Sequence, residues 1–399
     1  MPALSPKQHR LLQLASWLVV LLSTAILCFA LDIAGCDARV YQNTVANVHT
    51  ESSPYASAIV RLEENHAKGT KARTFNYLYP PLTLPFVRAA AVLPLWLSSS
   101  IYVVAYFAFA FTTPFFEQQL FAAGERAVFS VLAPLCVFFP GLLNDETLTT
   151  GNIAYILMGL IVGAAFYGWK RDRWLCFYAA VLLASSFKPP MLTLLAIPVF
   201  SAAKQWLGAC ATGIIGVVAF LAQRRLWPGL FRDYLQMLDL TFRYNKEFGF
   251  SPAGLLAQTL HSAALPYSTA STLLYLCYAA AILCVLFAGA RRYREGLIDF
   301  STWIPVMMLG VLLLNPRIKQ YDIQALTLPM ALLLWRAARR LTQNTRTAVM
   351  AALAVFTVTN ILILVVDVSE PVEMILMLSL FAFSAGGVLN RAAQQAAAV

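Results

Sequence analysis

Asp37 stands just beyond the first long apolar run, in Asp32-Ile-Ala-Gly-Cys-Asp37-Ala-Arg-Val-Tyr41. A carboxylate placed where an apolar chain emerges into water is suited to take a proton from a substrate hydroxyl. Three cations supply the complementary chemistry. Lys188 follows Ser185-Ser-Phe187 and precedes two prolines, so its helix must stop there and the lysine is free to meet a phosphate; its plain alternative is a lysine marking a helix end. In Asn315-Pro-Arg-Ile-Lys-Gln-Tyr-Asp322, Arg317 can fork onto phosphate oxygens while Lys319 acts as a point charge, with Asp322 orienting one of these cations. Phe75-Asn-Tyr77-Leu-Tyr79-Pro80-Pro81 joins two tyrosines to a rigid turn, and Gly151-Asn152 opens an apolar run with free backbone amides able to face an anion or a sugar hydroxyl. Taken singly, each such residue reads first as an interfacial anchor, with Lys188 balanced between the two readings. Their common position, at the same ends of the apolar runs, points to one shared cavity.

The elements that must position them are set by composition. The chain is 60% hydrophobic and 12% charged, against roughly a quarter charged in a soluble domain. Its apolar residues form runs rather than stripes, and hydrocarbon offers backbone amides no water, so the runs must be helices. The expected class is an all-α polytopic membrane bundle, a single integral membrane domain over 1–399. Six of the seven cysteines lie in apolar runs, where a thiol behaves as a small hydrophobe, and no disulfide framework or zinc spacing is present. The net charge of +10 is concentrated in short patches, Lys170-Arg-Asp-Arg173, Arg291-Arg-Tyr-Arg294 and Arg336-Ala-Ala-Arg-Arg340, which is the signature of membrane topology rather than of nucleic-acid binding.

Placing those patches in the cytoplasm orients the chain. Lys7-Gln-His-Arg10 precedes the run Leu11–Leu31, read as a retained first span; Ile33-Ala-Gly-Cys36 resembles a lipoprotein box, but Asp32 interrupts the run before it. A first external loop is expected over 33–79, with a short interfacial helix at 41–48 and a turn at Ser52-Ser-Pro54-Tyr55. A second is expected over 224–268. Spans near 152–169, 174–187, 190–203, 206–222, 269–289, 297–314, 321–335, 348–366 and 372–389 then alternate consistently. Of the runs 81–97, 101–116 and 127–141, parity requires that one fail to cross; Pro81, Pro85, Arg88 and Pro94 select the first. The result is about twelve crossings with both termini inside.

The ordered set Asp37-Ala-Arg-Val-Tyr41, Ser53-Pro-Tyr55, Phe75 to Leu82, Gly151-Asn152, Phe187-Lys188-Pro189 and Asn315 to Asp322 resembles glycosyltransferase family 87, over about residues 30 to 335. That family belongs to the type C membrane transferases that use polyprenyl-phosphate sugars, and many of its members are mannosyltransferases. The resemblance implies that Asp37 is the catalytic base, with Asp32 as fallback. It implies that Lys188, Arg317 and Lys319 bind the donor phosphate, and that Tyr41, Tyr77, Tyr79, Asn152 and Asp322 line the donor and acceptor cavity. It further implies a polyprenyl-phosphate sugar donor, with mannose as the sugar as in many members, a glycolipid or glycan acceptor of the envelope, and a plasma-membrane enzyme whose site faces the external or periplasmic side. The chain departs from the family where glutamine commonly follows the glycine of Gly151-Asn152, and where other members carry a histidine in the Arg317 segment.

No metal and no cofactor is called for, and no Asp-x-Asp pair occurs in the chain. Besides membrane lipids and the two substrates, no partner is implied. Two other readings stand beside the transferase. One is a secondary transporter of an anionic or sugar substrate, which would place its charges near the membrane midplane and often repeat its halves. The other keeps the fold as a scaffold or as a ligase joining two lipid-linked glycans.

Overall fold

The computed structural model describes residues 35–50, 53–69, 76–126, 150–202, 204–245, 248–342 and 369–397, with scattered positions between 7 and 22 and at 129, 133 and 347. The expected spans 11–31, 127–141 and 348–366, together with Asp32 and Phe75, lie largely or wholly outside the described residues. Those that are described form helices and no strand.

In chain order they are α1 (Cys36–Asn47), α2 (Ala56–Ala67), a 3-10 turn (Pro81–Thr83), α3 (Leu84–Ala91), α4 (Leu95–Glu117), α5 (Ala154–Arg171) and α6 (Leu175–Phe187). A 3-10 segment (Pro189–Leu195) leads to α7 (Ala196–Ser201), α8 (Trp206–Leu226), α9 (Pro228–Asn245), α10 (Pro252–Ser262), α11 (Ser268–Arg294) and α12 (Phe300–Leu313). Two further 3-10 turns (Gln320–Asp322 and Gln324–Leu326) precede α13 (Thr327–Leu341), and α14 (Ser369–Ala397) follows.

Crossing a hydrocarbon core of about 30 Å takes roughly 20 apolar residues in a helix. Among the described residues, four helical stretches are long and apolar enough: Leu95–Leu120, Trp206–Leu226, Ser268–Arg294 and Pro371–Asn390. Their outer faces carry Val104, Phe111, Ile214, Leu221, Leu273 and Ile375, all exposed. A surface of that kind is a liability in water and a requirement in lipid. The other expected spans that are described form shorter helices. The run 174–187 is the 13-residue α6, the run 190–203 is split between a 3-10 segment and α7, and the run 297–314 is the 14-residue α12. Prolines explain the interruption after α6, because Pro189 and Pro190 cannot continue its hydrogen-bond ladder. Within 81–97, Pro85 and Pro94 confine α3 to 8 residues, roughly 12 Å of rise.

The centre of the bundle is α12, where every residue from Trp303 to Leu313 is buried. It packs against α7, α11, α13 and α14. The Trp303 indole N–H donates to the Phe200 carbonyl at 3.0 Å, and its ring lies where a Cβ on Gly289 would stand, so α11 approaches α12 closely only because that position is glycine.

The segments 33–79 and 224–268, expected as loops, carry four helices. In the first the interfacial helix begins at Cys36 rather than Tyr41, and a second helix follows the turn at Ser53–Tyr55. In the second, α9 buries Phe231, Tyr234, Met237 and Leu240, each three residues after the last, which is an amphipathic stripe. That stripe meets α2: Tyr55 lies 6.0 Å from Tyr234, and His66 stacks on Tyr244 at 3.9 Å.

The basic patch at 336–340 is only partly a solvated face. Arg336 forks onto Glu125 at 3.0 and 2.6 Å and also donates to the Ser301 carbonyl at 2.5 Å. It thereby ties α13 to the start of α12 and to the segment that follows α4. Arg336→Ala is expected to lower unfolding free energy by about 1–3 kcal/mol, since it removes the cation from a largely buried carboxylate and leaves it only the Ala122 amide. Thermal unfolding in detergent checks this, and a change below about 0.5 kcal/mol, the ordinary surface effect, would contradict it.

Candidate functional site

Asp37 sits in the first turn of α1, whose preceding residue Gly35 adopts φ 68°, a left-handed conformation that glycine tolerates. The carboxylate therefore lies near the free amides and positive end of that helix. Tyr41 follows one turn later. Opposite them, Gly151 (φ +73°) precedes α5, and a Cβ there would lie 2.8 Å from the Cβ of Ala38. The missing side chain lets α1 rest on the start of α5, and that approach brings Asn152 to Asp37.

Asn152 is buried and bonds on three sides. Its Nδ2 donates to Asp37 Oδ2 at 2.8 Å, while its Oδ1 accepts from the Ala154 amide at 3.0 Å and from Lys188 Nζ at 3.4 Å. Two donors on Oδ1 fix which way the amide faces, leaving the NH2 for the carboxylate.

Lys188 reaches this point because the helix ends beneath it: its backbone is extended (φ −131°, ψ 92°) between α6 and the proline-led 3-10 segment. Its ammonium also donates to Asp322 Oδ1 at 3.2 Å and lies 3.6 Å from the centre of the Tyr321 ring. Asp322 accepts from the Lys319 amide at 3.2 Å through its other oxygen, and its own amide donates to the Lys319 carbonyl at 2.8 Å. The acid thus closes the 319–322 turn and holds Lys188, where the sequence pointed to Arg317 or Lys319 as its cation. Lys319 itself is buried in that turn.

Arg317 is held from the other side. Its guanidinium lies 5.1 Å from the Phe242 ring of α9, its amide donates to Asn315 Oδ1 at 3.0 Å, and it is within electrostatic reach of Lys188. The chain between α9 and α10 docks on the same segment, with the Phe250 amide donating to the Ile318 carbonyl at 3.0 Å and the Ser251 hydroxyl to the Pro316 carbonyl. Gly249 (φ +79°) permits this, because a Cβ there would lie 2.7 Å from the Ile318 oxygen.

The tyrosines form the remaining wall. Tyr41 and Tyr79 are bonded hydroxyl to hydroxyl, with ring centres 5.4 Å apart, and the Ile153 amide donates to Tyr41 at 3.4 Å. Burial, and then the nearby Tyr79, Tyr102 and Asp37, push the Tyr41 hydroxyl well above the usual phenol range; burial and then Asp37 do the same to Tyr79. Both remain protonated donors. The Tyr55 hydroxyl fixes this wall by donating to the Tyr79 carbonyl at 2.5 Å. Tyr77 points elsewhere: its hydroxyl bonds to Thr83 at 2.5 Å, and it lines a neighbouring cavity.

Asp37, Asn152, Lys188 and Asp322 are therefore joined in one hydrogen-bonded network, with the Tyr41–Tyr79 pair beside it and Lys319 and Arg317 at its edge. Sequence reasoning passed over Tyr102, whose hydroxyl donates to the Gly151 carbonyl at 2.6 Å and whose ring lies 5.3 Å from Tyr41. A hydroxyl-bearing ring near the start of an otherwise apolar run was the available signal. Phe242 and Ser251 were also missed, and nothing local in the sequence marks them.

The family model for glycosyltransferase family 87 matches residues 77–316. This chain belongs to glycosyltransferase family 87. It is a membrane glycosyltransferase, which sets aside the transporter reading. The family match includes Tyr77, Tyr79, Asn152 and Lys188 and stops just before Arg317, so Asp37, Tyr41, Arg317, Lys319 and Asp322 lie outside it. No curated protein and no solved structure matches the chain.

Gly151→Ala tests how the two halves of this family 87 site are joined. Strain at positive φ costs about 1–3 kcal/mol, and the clash with Ala38 adds to it. The variant is expected to melt at lower temperature than the parent protein. An unchanged melting temperature would show that α1 does not depend on this contact.

Proposed function

We propose that the protein transfers a sugar, mannose by its family resemblance, from a polyprenyl-phosphate carrier to a hydroxyl of an envelope glycolipid or glycan, with Asp37 as general base. The observation that carries this reading is the chain of contacts Asp37–Asn152–Lys188, which couples an acid in position to accept a proton to a cation suited to phosphate, with one amide between them.

The acceptor hydroxyl gives its proton to Asp37 while its oxygen bonds to the anomeric carbon. The bond from that carbon to the phosphate oxygen breaks, and the electron pair leaves with the phosphate. Lys188, Arg317 and Lys319 stabilise the departing anion, so the protonating acid required by a glycosidase is not needed. A single displacement inverts the anomeric carbon. Asn152 positions the carboxylate, and Asp322 holds Lys188 until the donor phosphate competes for it. At an effective dielectric near 20, a cation–phosphate contact at about 4 Å is worth roughly 4 kcal/mol before desolvation.

The same geometry supports a site on the external or periplasmic face of the plasma membrane. Asn152 lies at the start of α5 and Lys170 and Arg171 at its end, roughly 27 Å away for 18 residues. Helix α13 likewise begins just after Asp322 and ends in Arg339 and Arg340. Basic patches retained in the cytoplasm leave the network on the opposite side.

Asp37→Asn keeps the shape of the residue and removes the base. With membranes given labelled polyprenyl-phosphate mannose, the variant should fold and express normally yet transfer label about 10²–10⁴-fold more slowly. Full retained activity would assign the base to another residue.

A further inference from the structure

Beside the network lies a second polar space. A cavity of about 560 Å³ opens between α1, α2 and α3, within the range of roughly 300–1,000 Å³ typical of small-molecule sites. Helix α1 contributes Val40, Asn43, Thr44 and Asn47, a stripe at i, i+3, i+4 and i+7 that begins one turn beyond Asp37. Its floor is Thr44, Ala58, Tyr77 and Leu84, all buried. Its exposed rim carries Asn43, Asn47, Ser57, Arg61 and Arg88.

Two features define what would fit. The wall holds two guanidinium groups and no carboxylate, and among the described residues neither Arg61 nor Arg88 forms an ion pair. Side-chain amides and hydroxyls on the same wall, from Asn43, Asn47, Asn76 and Ser57, are the groups that bond sugar hydroxyls. Planar guanidinium forks suit phosphate or carboxylate oxygens.

We infer that this cavity is the acceptor subsite, and that the acceptor is an anionic glycan whose phosphate or carboxylate is held by Arg61 and Arg88 while a hydroxyl is presented towards Asp37. The inference rests on the sugar-transfer reading and adds the charge and the place of the acceptor. Tyr77 and Tyr79, two residues apart, face this cavity and the network respectively, so one short segment forms a wall of both. Exposed Val60 gives the rim an apolar edge, consistent with a glycan carried on a lipid.

The test uses the full-length protein and reads binding separately from turnover. Glucose 6-phosphate is compared with glucose in neutral detergent, and phosphatidylglycerol nanodiscs with phosphatidylcholine ones, by the shift in melting temperature. Stabilisation by glucose 6-phosphate points to a free anionic sugar, and stabilisation by phosphatidylglycerol alone points to a lipid-borne headgroup; either supports the site. In Arg61→Ala/Arg88→Ala the apparent affinity should fall at least about tenfold, and Arg61→Lys/Arg88→Lys should recover part of it. Where transfer is measured, the alanine pair should raise the acceptor KM and leave the donor KM unchanged. Equal responses to charged and neutral probes, or binding indifferent to the alanine pair, would overturn the inference. Asp37→Asn should leave this binding intact, so loss of the catalytic reading and loss of this one give different results.

Discussion

A carboxylate and an ammonium held on opposite sides of one buried amide form the constraint on which the rest of this structure depends. Asp37, Asn152, Lys188 and Asp322 come from four separate stretches of an apolar chain, and each needs the next to offset the cost of leaving water. That requirement dictates local structure. Helix α1 must begin at a glycine, α5 must begin beside one, and α6 must stop at Lys188 under two prolines. Removing any of these breaks would return the polar groups to apolar helix surfaces, where they would have no partners.

Around that network the bundle divides its work. The buried α12 supplies rigidity, and helices with exposed apolar faces meet the lipid. The polar layer made by α1, α2, α9 and α10 roofs the network, with Tyr55 fixing the Tyr79 turn and the Gly249–Ser251 chain fixing the Arg317 segment. The proposed transfer needs this separation, because a lipid-borne donor would come from the membrane while the chemistry requires positioned charge.

Much of the candidate site is legible in the sequence because its members are conspicuous where they stand. Lys188 before two prolines, and Arg317 and Lys319 between two apolar runs, are local departures from an apolar background, and the order of the motifs pointed to the family that the match over 77–316 establishes. What could not be read was pairing. Asp322 meets Lys188 across 134 positions, and no local pattern announces that partner. Helices α2 and α9 fall in the segments expected as external loops, the first from its polar composition and the second from its place between two spans, although Phe231, Tyr234, Met237 and Leu240 carry the spacing of one helix face. Hydropathy also overstates continuity: it sees an apolar run at 190–203, but the chain there divides between a 3-10 segment and a short helix.

The central claim is that Asp37 and Lys188 act as one unit through Asn152, and a double-mutant cycle on sugar transfer measures this most directly. Rates for Asp37→Asn, Lys188→Met and the combined variant are compared with the parent enzyme, using labelled polyprenyl-phosphate mannose. Coupled groups should give a double variant hardly slower than the worse single one. Losses that simply multiply would contradict the account and leave the two residues with independent roles.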